Sequence, residues 1–243
     1  GKNLKFEVQK RLYYRFADGY VVQTPKAKEY YQMHYSGKKE VAVIPNPVRN
    51  AFYQIQKKDT NVIPYLLTVG RLDDAQKNQT MLIQAFSKIV SDYPELKLFL
   101  AGTGPDKNKF QNLIAELELD DRVILLGNVE DPKKYIKNCE IFLLTSNHEG
   151  MPNALIEAMA QGKPCISTKC GGGGAEYIIK NGINGILIDC NDVDGCAEAI
   201  RRLMNDEALR NTIGEKAFEV NQSLNLDKIV THWEEYFRKV CDR

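Results

Sequence analysis

Two glutamates eight positions apart, Glu149 and Glu157, bracket the stretch of this chain best suited to chemistry. Between them Gly150 permits a tight backbone turn and Pro152 suits a first helical turn, so Asn153 to Gln161 reads as a helix. The free N–H groups at such a helix mouth attract an anion. Glu157 lies about one turn further in, among Ala154, Leu155, Ile156, Ala158, Met159 and Ala160, where a carboxylate without a partner is costly. A pair of ribose hydroxyls would give it one; the alternative places Glu157 on an exposed helix edge.

Three other polar or glycine-rich stretches follow apolar runs. Gly70-Arg71 leads to Lys77-Asn78; Gly102 and Gly104 follow Ala101; and Gly171 to Gly174 precede Ala175-Glu176. Taken singly, Arg71 and Lys77 read as surface charges, the Gly102/Gly104 pair as a turn, and the four glycines as a flexible loop. His148 reads as a loop residue, and Cys165 and Cys170 as packing residues rather than nucleophiles.

The elements that must position these groups follow from hydrophobic periodicity. Tyr65–Val69, Leu96–Ala101, Val123–Leu126, Ile141–Leu144, Cys165–Ser167 and Gly185–Ile188 are short apolar runs, separated by longer periodic segments. Runs apolar on both faces are strands covered by helices on both sides, and the spacing suits right-handed crossovers. The expectation is an α/β, doubly wound, Rossmann-like parallel sheet, with ligands bound beyond the carboxyl ends of its strands. The first fifty residues read as helix, strand, helix, strand, and Pro45-Asn46-Pro47 interrupts regular structure as a linker. The chain then divides into 1–48, 49–225 and a final helical piece, 226–243, which carries the only tryptophan, Trp233.

Composition narrows the function. With 33 basic and 32 acidic residues the chain lacks the excess charge of a nucleic-acid binder. Residues 1–50 hold ten Lys/Arg against four Asp/Glu, so the two ends of the chain differ in electrostatic surroundings. The basic amphipathic segment 2–16 reads either as a packed helix or as a peripheral contact with anionic lipid. Six scattered cysteines, without C-x-x-C or zinc-like spacing, point to free thiols, and neither a spanning helix nor a signal peptide is evident. A cytoplasmic protein is the expectation.

The stretch Glu149-Gly-Met-Pro-Asn-Ala-Leu-Ile-Glu157 resembles the E-x7-E signature of retaining GT-B glycosyltransferases, and Glu157-Ala-Met-Ala-Gln-Gly-Lys-Pro continues the pattern of glycosyltransferase family 4. Ile44-Pro-Asn-Pro-Val48 resembles that family's interdomain linker, Val69-Gly-Arg71 with Lys77-Asn78 its phosphate-binding segment, and Ala101-Gly-Thr-Gly-Pro105 its second-strand loop. Gly172-Gly-Gly-Gly-Ala-Glu176 is similar to its G-G-x-x-E stretch, though richer in glycine than the family tends to be.

The resemblance implies the C-terminal, donor-binding half of a GT-B fold, preceded by a remnant of an N-terminal acceptor domain. It implies that Glu149 contacts the donor sugar, Glu157 the ribose, and Arg71 with Lys77 the diphosphate. The N–H groups around Gly150 to Asn153, a stretch that includes Met151 and Pro152, would help to hold the distal phosphate, with Gly70, Gly102 and Gly104 shaping the pocket and Asn128 and Val129 near the base. The implied donor is a nucleotide diphosphate sugar, UDP-sugar first, with no metal or other cofactor; the implied acceptor is a glycan or lipid-linked sugar. A non-catalytic nucleotide-binding or protein-interaction module is the competing reading, and the fragment alone is expected to transfer sugar poorly.

Overall fold

The computed structural model describes residues 12–242. The first strand pair is β1 (Gly19–Val22) and β2 (Glu40–Val43), joined by α1 (Pro25–Tyr31) and a π-helical turn. Then follow β3 (Tyr65–Val69), α2 (Asp74–Lys77), α3 (Gln79–Ser87), β4 (Lys97–Ala101), α4 (Lys107–Glu116), β5 (Val123–Gly127), α5 (Pro132–Asn138) and β6 (Ile141–Leu144). The remainder is α6 (Asn153–Ala160), β7 (Cys165–Thr168), α7 (Gly174–Ile178), β8 (Ile186–Ile188), α8 (Val193–Asn205), α9 (Glu207–Ala217), α10 (Val220–Ser223) and α11 (Leu226–Cys241).

All the expected strands form, β4 and β8 each starting one residue later than the apolar run. β1 and β2 pair in parallel as a small separate sheet, while the other six make one parallel sheet in the order β5-β4-β3-β6-β7-β8. Alternation along the strands sends Leu66, Leu98, Leu100 and Leu143 into one core and Leu67, Phe142 and Leu144 into another, on the opposite face. Both faces are therefore sealed by helices, which is why these strands read as continuous apolar runs. The sequential order of the strands reverses between β3 and β6, so the loops leaving those two strands diverge and open a crevice there.

The expected basic helix lies mostly outside the described residues, which begin at its last turn, Leu12–Tyr14. Helix α11 starts at the Asn225 cap, whose side chain accepts from Asp227 and Lys228 amides, and runs back across the small sheet. There Lys239 pairs with Glu40 at 3.1 Å, and the Tyr236 hydroxyl lies so close to Gly19 that a methyl group would not fit. No helix among the described residues is long and apolar enough to cross a membrane.

Asn78 ends α2 and starts α3 in a left-handed conformation, φ +50. Its side-chain amide donates to Asn147 Oδ1 at 3.2 Å and to Asn191 Oδ1 at 2.8 Å, while its backbone carbonyl accepts from the Thr145 hydroxyl at 3.1 Å. One buried side chain thus fastens the loops that follow β3, β6 and β8 to each other.

Candidate functional site

The crevice at the strand reversal holds two adjoining chambers that share Val69, Gly70 and Pro132. The first, about 450 Å³, brings Lys77, Glu149 and Glu157 together with Met151, Pro152 and Asn153. The second, about 700 Å³, holds Arg71, Gly102, Gly104, Asn128 and Val129. Residues drawn from the loops after β3, β4, β5 and β6 therefore meet at one edge of the sheet, as the sequence predicted. The predicted cations separate: Lys77 lies in the chamber of the two glutamates, and Arg71, exposed, in its neighbour. Gly150 lines neither; it borders an adjacent groove with His148, Gly172 and Asn46.

Glu149 is buried, accepting from the Ser146 hydroxyl at 2.7 Å and pairing with Lys77, whose chain lies across Gly70. A buried carboxylate in this setting must be held by charge and hydrogen bonds together. The loop that carries it is braced from behind. Gly172 has φ +111, and a Cβ there would sit 2.1 Å from the Glu149 carbonyl oxygen, so only glycine allows this approach. The four glycines are thus a packing surface rather than a slack loop, and the Thr24 hydroxyl ties them to the small sheet through the Gly172 carbonyl at 2.8 Å. A similar constraint acts at Gly102, φ +140, where a Cβ would meet the Gly70 carbonyl oxygen at 1.9 Å. Hydrogen bonds from Gly70 N to Ala101 O and from Leu72 N to Thr103 O, both 2.9 Å, extend the strand pairing into the site and fix Arg71 between them.

Helix α6 begins at Asn153, with Pro152 as its cap residue and no capping side chain. Leu155 and Ile156 amides return to the Pro152 carbonyl, so the opening amides of the helix remain for an anion. Asn153 itself accepts from Asn46 at 2.8 Å, and Asn46 from Gln23 at 2.6 Å, which ties the helix mouth to the proline linker.

Glu157 is buried, not on an exposed edge, and burial pushes its carboxyl above the usual range against the opposing pull of Arg49. The Arg49 Nε stands 2.6 Å from Glu157 Oε1. Sequence reasoning gave Glu157 a substrate as partner and overlooked Arg49, because no periodic or motif signal links positions 108 residues apart. Pro132 was missed likewise, and Ser146, only three residues before Glu149, reads as an ordinary loop serine until its hydroxyl is seen on the carboxylate. The cysteines are free, and burial raises Cys139 to about 12 and Cys170 to about 11, in keeping with packing roles. Among the described residues no cluster of His, Cys, Asp or Glu is arranged to hold a metal.

Fold and site define the class: a Rossmann-like parallel sheet of the kind found in GT-B glycosyltransferases, with paired acids and bases at its switch point. The chain belongs to the family described as Glycosyl transferases group 1, whose family model matches residues 52–220. It is 34% identical over 228 residues to an exopolysaccharide phosphotransferase of Streptomyces coelicolor, covering 93% of this chain and 24% of that protein. It is 35% identical to N-acetyl-alpha-D-glucosaminyl L-malate synthase of Bacillus anthracis, covering 65% of this chain and 41% of the relative. Among solved structures, Anabaena HepE in complex with UDP superposes with a TM-score of 0.86 at 22% identity, over 98% of this chain and 68% of that one. The chain spans only 24% and 41% of the lengths of these two curated relatives.

Proposed function

We propose that this chain is the donor-binding part of a retaining GT-B glycosyltransferase of family 4, taking a nucleotide diphosphate sugar, most readily a UDP-sugar. The observation that carries this reading is one cleft, at the strand reversal, in which Lys77, Glu149 and Glu157 face the mouth of α6. The base lies in the chamber of Asn128 and Val129, and the ribose hydroxyls reach Glu157. The diphosphate crosses Gly70 toward Lys77, Arg71 and the α6 amides, and the sugar meets Glu149. Family membership supports sugar transfer, and the fold shared with a UDP complex supports the nucleotide.

Two cations and a helix mouth offset the charge of a departing diphosphate without a metal. In the transfer step the bond between the sugar's anomeric carbon and the phosphate oxygen breaks. A bond to the acceptor hydroxyl forms on the same face, and the hydroxyl proton passes to the leaving phosphate. The protein contributes position and charge rather than a covalent intermediate. A glycan or lipid-linked acceptor in polysaccharide or lipopolysaccharide assembly fits this chemistry.

Calorimetric titration with UDP, GDP, ADP and their sugars tests the reading, with and without a chelator. One nucleotide series is expected to bind with chelator-independent affinity, and Glu157→Ala to weaken it by about 1–3 kcal/mol through lost charged hydrogen bonds. A chain indifferent to all three series is a structural module instead.

A further inference from the structure

Arg49 occupies an unusual place: it follows the proline linker directly, yet its guanidinium reaches into the donor cleft. Three contacts hold it there. The guanidinium lies over the Phe52 ring at 5.2 Å, and the Phe52 amide closes a turn onto the Arg49 carbonyl at 2.9 Å. Phe52 is buried, and its carbonyl accepts from Gln161 at 2.8 Å, at the far end of the same helix that carries Glu157. The turn bearing Arg49 is therefore fastened to α6 at both ends, through Glu157 and through Gln161.

On the reading that Glu157 receives the ribose, we propose that Arg49 is a positioning residue for the nucleotide. It holds the Glu157 carboxylate ionised and aimed into the cleft through Oε1, so that the second oxygen can accept a hydroxyl. The geometry favours this role over that of a direct phosphate ligand. Arg49 directs its Nε to Glu157, and on the proposed reading the diphosphate lies toward Lys77 and the α6 mouth.

The electrostatic surroundings leave Arg49 as the group responsible. Within the cleft the other charges are Lys77 and Glu149, paired with each other. Of the elements packed against α6, β6 and α10 carry no charged side chain, and β7 offers only the Cys165 thiol, itself pushed upward by burial. Helix α9 carries Glu207, Arg210, Glu215 and Lys216, none of which lines the cleft. Burial opposes ionisation of Glu157 and Arg49 favours it, so loss of Arg49 moves the protonation of Glu157 to higher pH.

The test is the affinity of UDP, or of whichever diphosphate among UDP, GDP and ADP binds tightest, measured calorimetrically from pH 5 to 8.5. The chain is compared with R49A, R49K and E157A; ratios between variants cancel the titration of the nucleotide's own phosphate. Arg49→Ala is expected to bind about tenfold more weakly at pH 7, with a deficit that narrows toward pH 8.5 and widens toward acid. Arg49→Lys is expected to restore most of the affinity and to return the acid limb toward its original position. A loss constant across the pH range, no loss, or tighter binding in R49A and R49K overturns the proposal. If E157A keeps the parent affinity, the ribose assignment and the inference fall together; if E157A weakens binding while R49A does not, the inference falls alone.

Discussion

Replacing Gly172 by alanine tests whether the glycine-rich segment positions the Glu149 carboxylate. A Cβ at this position would stand 2.1 Å from the Glu149 carbonyl oxygen, and ordinary contact begins at 3.4 Å, so the Glu149 loop must yield by about 1.3 Å. The backbone at φ +111 adds strain of about 1–3 kcal/mol for any residue with a side chain. In a chain of this size each kcal/mol lowers Tm by about 2–4 °C, so a fall of about 2–12 °C is expected. The same displacement carries a 2.7 Å hydrogen bond such as Ser146 to Glu149 beyond useful range. Loss of one or two charged hydrogen bonds corresponds to about a 10- to 100-fold weaker affinity for the nucleotide sugar. Gly182→Ala is the matched control: φ is +77 there, yet nothing lies within 4 Å of the added Cβ. It is expected to lower Tm slightly and to leave affinity unchanged. Thermal melts and calorimetry on both variants decide the matter; a folded G172A that binds like its parent, or a G182A that loses as much affinity, refutes the bracing argument.

Two further perturbations address the paired charges. Lys77→Met removes the cation from buried Glu149 and is expected to destabilise the chain by about 1–3 kcal/mol. Adding Glu149→Gln should recover part of that loss, measured as a double-mutant cycle in denaturant. Glu157→Gln probes pH linkage: burial raises the carboxyl above its unfolded value despite Arg49, so its ionisation is harder in the folded chain than in the unfolded one and costs stability as pH rises through its folded pKa. The glutamine variant is therefore expected to melt above the parent at pH 8, with the gap closing toward pH 5, while binding nucleotide more weakly; a gap that widens on acidification would falsify the burial argument.

The sheet was legible because six strands buried on both faces leave continuous apolar runs that helices do not imitate at that length. The acidic pair was legible because its spacing across a helix mouth is local to the chain. The partner of Glu157 was not, since Arg49 reaches it through tertiary folding and an exposed arginine after a proline linker looks ordinary in sequence. Nor could sequence decide whether Gly171 to Gly174 were loose or packed. That question depends on a dihedral angle and on the distance to a carbonyl 23 residues away in the chain, both set by the fold.

The Asn78 side chain has a consequence for engineering donor choice. Because a single amide fastens three ligand-edge loops, transplanting one of them from a relative leaves the graft without its anchor unless Asn147 or Asn191 travels with it. Chimaeras at this edge should succeed when the segments after β3, β6 and β8 are exchanged as a set, and should lose order when any one is exchanged alone.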